Sequence, residues 1–284
     1  LAASVIEKAL ASELANRATG PSAWAAIGAL RLQADDAPGA LDAAQRGAAL
    51  DAGAEEPLLL ASALIGPKAP AAEAMVRTYL ARKPTADVRM AYARSLVNLQ
   101  RFAEAYAQAQ ALTKERPDFA DAWLMRGSLE LQDVNLTTAE SSLKTYVALN
   151  PPSEENAHGS TMGRGLVQAY LLLAQVAEQG NKLDEAKGYL EKIDSPTDAL
   201  RVQRRYAGIL ARQGKIDEAR LVIRAVPELQ ASDAMDKIHA EVQLLRDNRQ
   251  YAAAYQVLGD AVAKYPEETE LVYDLAMVAE KVGK

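Results

Sequence analysis

The residues that could carry out catalysis are few and follow no catalytic spacing. The chain has two histidines, His158 and His239, and no cysteine, and neither histidine belongs to the H-E-x-x-H pair of a zinc peptidase. No G-x-S-x-G nucleophile elbow occurs, and the glycine-rich segment 159–165 lacks the Lys-Ser or Lys-Thr pair of a phosphate-binding loop. Without cysteine there are no disulfides, thiolate metal sites or cysteine nucleophile. The sequence therefore predicts a protein that is not an enzyme and has no metal or cofactor.

Two acidic motifs resemble paired catalytic carboxylates but have a structural interpretation. The tripeptide Asp-Glu-Ala stands at 184–186 and again at 217–219. Both copies fall at the predicted start of a helix, where acidic side chains interact favourably with the helix dipole. We interpret them as N-terminal residues of two equivalent helices.

Four arginines form the most distinctive charged cluster of the sequence. Arg201, Arg204, Arg205 and Arg212 are spaced so that they share one face of a predicted helix. Like charges at this spacing repel one another. Two interpretations follow: an acidic ligand meets the arginines, or nearby Glu and Asp neutralise a solvated helix.

Composition limits the fold class and the kinds of partner. Strong helix formers dominate the 284 residues, which favours helix nearly everywhere. The net charge of −6 and the pI near 5.2 argue against an extended nucleic-acid footprint, which is usually basic. No run approaches the roughly 18 apolar residues of a membrane span. The chain begins at Leu1 without a signal peptide, so we expect a processed form or a fragment.

Two consecutive segments, 86–119 and 120–151, share a skeleton about 34 residues long. Each contains an apolar helical pattern, a polar break, a second helical pattern and a proline. The matched pairs are Ala93 with Gly127, Ala105 with Ala139, and Pro117 with Pro151. The small residues mark places where two helices cross closely, and the prolines end the second helix because proline lacks an N–H donor.

This skeleton resembles the tetratricopeptide repeat, whose pattern W-x2-L-G-x2-Y…A-x3-F…P has the same period. Its Trp, Gly, Ala, Phe and Pro places are occupied by Trp123, Gly127, Ala139, Leu143 and Pro151. The resemblance implies an all-α fold, a right-handed α-solenoid of helix–turn–helix repeats. About sixteen helices and essentially no strand are expected.

The repeat register divides the chain into five parts. They are a capping or partial-repeat helix at 1–20, repeats one to four at 21–151, an inserted loop at 152–166, repeats five to seven at 167–268, and the first helix of a further repeat at 269–284. A first helix without its second helix exposes an apolar face. Self-association through the terminal helices is therefore one expectation.

The resemblance also implies a partner-binding groove lined by the first helices of the repeats. Carrying the family's groove places over gives apolar residues in repeats one to four, with occasional polar ones: Leu32, Leu58, Leu64, Met90, Arg94, Val97, Asn98, Leu124, Met125, Leu131 and Gln132. In repeats five to seven it gives polar and basic residues: Gln168, Leu171, Gln175, Glu178, Arg201, Arg204, Arg205, Arg212, His239, Gln243 and Arg246. We expect a two-part groove in which Met90, Arg94, Leu124 and Met125 contact an apolar stretch and the four arginines of repeat six contact an acidic group. The Lys and Asn of the chaperone-type carboxylate clamp are missing from these places.

The terminal segment Leu271–Lys284 resembles a stretch of large bacterial exported tetratricopeptide proteins, many of them outer-membrane lipoproteins. Some of these hold a periplasmic processing protease and bring cell-wall hydrolases to it. The resemblance implies a non-catalytic scaffold or adaptor that binds a protein or peptide, and a periplasmic location with an outer-membrane anchor outside this segment. A regulatory domain of a larger enzyme or sensor is the alternative, and a cytoplasmic location is the alternative compartment.

Overall fold

The computed structural model describes residues 20–67, 69–151, 162–230 and 232–284. This part of the chain folds into fifteen α-helices and one short 3₁₀-helix, Pro196–Asp198, with no β-strand. The predicted fold class, an all-α right-handed α-solenoid of helix–turn–helix repeats, is confirmed. The predicted helix at 1–20 and most of the inserted loop at 152–166 lie outside the described residues.

The chain divides into two compact units, the first ending at Leu149 and the second beginning at Asn150. From residue 20 onward, unit one contains four antiparallel helix pairs. Its helices are α1 (Pro21–Gln33), α2 (Ala37–Leu50), α3 (Glu56–Leu64), α4 (Pro70–Arg82), α5 (Ala86–Asn98), α6 (Phe102–Glu115), α7 (Ala120–Gln132) and α8 (Leu136–Leu149).

Unit two contains three helix pairs and one further first helix. Its helices are α9 (Arg164–Gln179), α10 (Leu183–Leu190), α11 (Ala199–Arg212), α12 (Ile216–Arg224), α13 (Asp233–Asp247), α14 (Tyr251–Lys264) and α15 (Thr269–Lys281). Since α9 begins at Arg164, the last three residues of the range 152–166 are helical.

One turn geometry joins the two helices in six of the repeats, also follows the unpaired helix α15, and fixes the register. The turn residue adopts a left-handed backbone with φ between 56° and 80° at Asp35, Gln100, Val134, Asn181, Gly214, Arg249 and Gly283. The next residue donates its N–H to the carbonyl five residues back, as in Asn135 to Glu130 at 2.8 Å and Lys182 to Ala177 at 2.8 Å. This is the C-terminal cap that satisfies carbonyls left free at a helix end. We number this turn residue place 15, so that Ala120 is place 1 of repeat four.

Close helix crossings hold each repeat together. A Cβ added to Gly127 of α7 would lie 2.7 Å from Cγ of Leu143 and 3.3 Å from the carbonyl of Ala139. Ala93, Ala105 and Ala139 are fully or almost fully buried. The predicted role of these small residues is therefore confirmed, because a larger side chain would separate the two helices.

Carboxylates that are buried or half-buried link neighbouring repeats. Glu73 of α4 accepts hydrogen bonds from both terminal nitrogens of Arg101, at 2.7 and 2.8 Å, and from the Tyr92 hydroxyl at 2.7 Å. The Arg101 guanidinium, which donates these bonds, lowers the pKa of the Glu73 carboxyl from 4.5 to about 2. In unit two, the buried Glu241 accepts from Arg220 at 2.7 Å and from Arg224 at 2.6 Å.

Enlarging a crossing alanine tests this packing. We expect Ala139→Leu to lower the free energy of unfolding by about 1–3 kcal/mol, because overpacking forces the α7–α8 pair apart. Ala105→Leu should lower the free energy of unfolding in the same way at the α5–α6 crossing. The measurement is urea denaturation followed by tryptophan fluorescence, since both tryptophans, Trp24 and Trp123, lie in unit one. Ser141→Leu, at an exposed position of α8, is the matched control. If Ser141→Leu and Ala139→Leu lower the free energy of unfolding equally, Ala139 does not lie at a close helix crossing.

The left-handed turn predicts a stabilising substitution. Val134 is β-branched and 66% exposed, with φ 60°, and a residue other than Gly, Asn or Asp is strained in that conformation. We expect Val134→Asn to raise the free energy of unfolding by about 0.5–1 kcal/mol. Gln100→Asn at the equivalent turn of repeat three should gain less, because glutamine is not β-branched. A loss of stability in Val134→Asn would contradict the strain.

The Glu73 cluster predicts a pH dependence of stability. Since the folded pKa of Glu73 is lowered to about 2, its contribution is complete above pH 4.5 and declines as the pH falls toward 2. We expect Glu73→Gln to cost about 1–3 kcal/mol at pH 7, and the difference from wild type to shrink as the pH falls from about 5 to about 2. Denaturation curves across this range measure it. Glu104→Gln, which removes the more exposed carboxylate on the same arginine, is the control with the smaller cost.

Candidate partner-binding groove

A groove of about 490 Å³ lies between the first helices of repeats five and six. Its lining consists of four residues of α9 and three of α11: Gln168, Leu171, Leu172, Gln175, Arg201, Arg204 and Arg205. These are places 2, 5, 6 and 9 of one repeat and places 2, 5 and 6 of the next. Leu171 is only 9% exposed and forms an apolar floor with Leu172. The three arginines make the α11 side of the groove basic.

The amphipathic pattern of α11 positions its arginines. Val202, Ala207 and Leu210 are buried and fix the opposite side of this helix. Residues at helical spacing on the remaining side must then share one face, which directs Arg201, Arg204 and Arg205 into the groove. Arg212 is exposed in the last turn of α11 and does not line the groove.

The arginines differ in their ion pairs. The Arg205 Nε lies 2.6 Å from Oε1 of Glu178, and a terminal nitrogen of Arg201 lies 2.8 Å from Oδ1 of Asp198. Arg204 is exposed and has no ion pair among the described residues. Neutralisation by neighbouring acids, one of the two interpretations of this cluster, therefore applies to Arg201 and Arg205. Arg204, which lies between these two arginines in the sequence, is left available to a ligand.

Successive first helices meet through the same two repeat places. Place 12 of one helix reaches place 6 of the next in Glu178–Arg205 at 2.6 Å and in Arg246–Asp274 at 4.0 Å. In unit one the same places are apolar, and Val97 and Met125 pack in one cluster. This ladder shows that equivalent places of neighbouring first helices line one continuous face within a unit.

In unit one, several expected groove residues form part of the interior. Leu58, Leu64, Met90 and Leu131 are each less than 9% exposed, and Met90 packs against Leu112 and Ala122. The expectation that these side chains present an open apolar surface needs correction, because all four are buried. Met90 packs repeat three on repeat four. Leu124 and Met125 are half-buried. Arg94 is exposed and pairs with Asp121 at 2.8 Å. Partner binding by Arg94, Leu124 and Met125 stays a prediction.

Helix α15 exposes large apolar side chains, as the sequence analysis expected of a helix without its partner, but that analysis did not assign Tyr273 and Met277 to the groove. Val272, Tyr273 and Met277 are 45%, 66% and 42% exposed. Tyr273 and Met277 occupy places 5 and 9, which is the groove side, whereas Val272 at place 4 faces the side that a second helix covers in other repeats. Applying the family's groove places to α15, as was done for the other first helices, would have identified Tyr273 and Met277.

The remaining candidate chemistry has a structural role. Asp184, Glu185, Asp217 and Glu218 lie in the first turns of α10 and α12, so the helix-start interpretation is confirmed. His239 Nδ1 lies 3.7 Å from Oδ2 of Asp274, while His158 is outside the described residues. In the described part of the chain, no group of three or more His, Asp or Glu side chains could hold a metal ion. No helix there is long and apolar enough to cross a membrane.

Comparisons with known proteins agree with this architecture. A family profile of the tetratricopeptide repeat matches residues 90–154. A TPR repeat-containing protein of Pseudomonas aeruginosa is 27% identical over 113 residues, which is 40% of this chain and 19% of that protein. The chain thus spans about a fifth of that relative's length.

Solved structures show the same fold. A tetratricopeptide repeat protein of Parabacteroides merdae has a TM-score of 0.56 at 15% identity, covering 90% of this chain and 97% of that one. Yeast Tom70 has a TM-score of 0.52 at 15% identity, covering 88% and 52%. PilF of Pseudomonas aeruginosa has a TM-score of 0.50 at 14% identity, covering 77% and 97%. The matched profile assigns residues 90–154 to a tetratricopeptide repeat, and the repeat turns, the small-residue crossings and these structures together show the tetratricopeptide solenoid fold.

Proposed function

We propose that the chain is a non-catalytic adaptor that binds an acidic segment of a protein partner in the groove between α9 and α11. The fold supports a protein–protein interaction scaffold, and tetratricopeptide proteins are in general non-catalytic. The observation that carries the proposal is Arg204, an exposed guanidinium in the groove with no ion pair among the described residues.

The groove supplies the contacts that a carboxylate needs. A guanidinium donates two parallel hydrogen bonds to a carboxylate, and such bidentate pairs are among the stronger polar contacts. Arg201 and Arg205 keep the local potential positive, although each already has one acidic neighbour. Gln168 and Gln175 across the groove offer amide donors and acceptors for a partner's backbone. Leu171 and Leu172 offer apolar area beneath it.

The ion pairs of the neighbouring arginines serve this site as well. Glu178 holds Arg205 in place, and Asp198 holds Arg201. These two side chains therefore lose less conformational entropy when a ligand binds. Arg204 then makes the new contact. Attraction by this cluster accelerates association and weakens as salt screens the charges.

A charge reversal at the exposed arginine tests the proposal. The probe is a fluorescein-labelled, Gly-Ser-rich peptide with a Glu-Asp pair, and its anisotropy is measured between 0.05 and 0.5 M NaCl. We expect Arg204→Glu to weaken binding about tenfold or more at low salt, with the difference narrowing as salt rises. Arg204 is exposed, so helicity and melting should stay unchanged.

Arg212→Glu is the matched control, because it makes the same change of charge on the same helix outside the groove lining. It should weaken binding much less. Equal losses in the two variants would indicate attraction by net charge instead of a site. A wild-type protein that does not bind the acidic peptide at any salt concentration would overturn the proposal. Arg205→Glu is avoided, since it would place a second carboxylate beside Glu178.

Two narrower statements belong to this proposal. The resemblance of Leu271–Lys284 to exported tetratricopeptide proteins supports an adaptor of a periplasmic protease, anchored to the outer membrane through a part outside this segment. Fractionation of the tagged full-length protein tests the compartment, and recovery in the cytosol would overturn that statement. The alternative, a regulatory domain of a larger enzyme or sensor, predicts a catalytic domain in the full-length sequence.

A further inference from the structure

Building on the proposed function, we infer that the partner segment is extended and carries an apolar side chain about five or six residues from its acidic group. The acidic group lies over Arg204, and the apolar side chain packs on Tyr273 and Met277 of α15. Both contacts lie within unit two, on the face formed by the first helices α11, α13 and α15.

The first step is that this face is continuous and open. Residues at place 9 of the first helices include Arg94, Gln175, Gly208, Gln243 and Met277, and none of them is buried. The Arg246–Asp274 contact at 4.0 Å joins the same two repeat places as Glu178–Arg205 at 2.6 Å, so α15 is the neighbour of α13 on the side on which α11 is the neighbour of α9. Gly208, Gln243 and Met277 are therefore equivalent points along one side of unit two.

The second step is the change of chemistry along this side. Around α11 it is basic, with Arg201 and Arg204 exposed. At α13 it is polar, with Gln243 donating to Asp247 at 2.7 Å. At α15 it is apolar, since Tyr273 and Met277 lie one helical turn apart and are 66% and 42% exposed. Tyrosine and methionine are enriched at protein interfaces, and methionine adapts its shape to a partner.

The third step orients the partner. Helix α15 also carries Glu270 and Glu280, which are exposed at groove places 2 and 12, and these carboxylates disfavour an acidic group at that end. Charge complementarity therefore places the acidic group over α11 and leaves the apolar contact for α15.

The fourth step sets the spacing. Packed helices lie about 8–10 Å apart, so two helix spacings from α11 to α15 span about 16–20 Å. An extended chain advances about 3.3–3.6 Å per residue. The acidic and apolar groups are thus about five or six residues apart in the partner sequence.

A set of labelled peptides on the full chain tests this spacing. Each peptide has a Gly-Ser background, one Glu-Asp pair and a single leucine two, five, six or ten residues away, in both sequence orders, and one peptide has no leucine. We expect the leucine at five or six residues, in one order, to tighten binding about tenfold over the peptide without leucine. Leucine at two or ten residues should add little.

Variants of α15 locate the contact. Met277→Ser should abolish the spacing preference and leave the affinity of the leucine-free peptide unchanged. Val272→Ser removes an equally exposed apolar side chain from another side of the same helix and should keep the preference. Loss of the preference in Val272→Ser but not in Met277→Ser would overturn the inference.

The outcomes separate this inference from the proposed function. If all peptides bind equally and binding still depends on Arg204, the inference is overturned and the arginine groove stands. If no peptide binds the wild-type protein, the proposed function fails and the inference fails with it.

Discussion

The close crossing of two helices within each repeat is the constraint on which this structure depends. Gly127 has no room for a Cβ, because Leu143 and the Ala139 carbonyl already lie in van der Waals contact with its position. Gly28 in repeat one is equally confined by Leu60 and Ala43. Small residues at the crossing let larger neighbours fill the surrounding space at interior density. Every other feature, including the groove, follows from the angle and register that these crossings impose.

The fold was predictable because its signals are local and repeated. Ala93, Ala105, Gly127 and Ala139 recur at a fixed period, and each has one steric reason to be small. The left-handed turn was less visible, because three of its seven residues, Gln100, Val134 and Arg249, have types that do not favour positive φ. At Val134 the tertiary packing of α7 on α8 overrides the local preference. A search for glycine or asparagine alone would miss this turn.

The candidate site was predictable in part. The helical spacing of Arg201, Arg204 and Arg205 was enough to place them on one face, and these three residues line the groove. The sequence could not separate groove places from contacts between repeats, so Met90 was expected on the surface although α7 covers it. Which acid pairs with which arginine was equally hidden. Glu178 and Arg205 are distant in sequence and meet only because successive first helices stack.

Charge is distributed so that a protein of net charge −6 still has a basic recognition surface. Several carboxylates are already bound by arginines between repeats, as Glu73 is by Arg101 and Glu241 by Arg224, and these pairs present little net charge to solvent. At physiological salt the Debye length is about 8 Å, so distant acidic residues act weakly on a ligand inside the groove. The guanidinium of Arg204, which has no ion pair among the described residues, and its two neighbours then dominate the local field. An acidic segment is repelled by most of this surface and attracted where first helices of unit two present arginine, and this contrast gives the groove specificity as well as affinity.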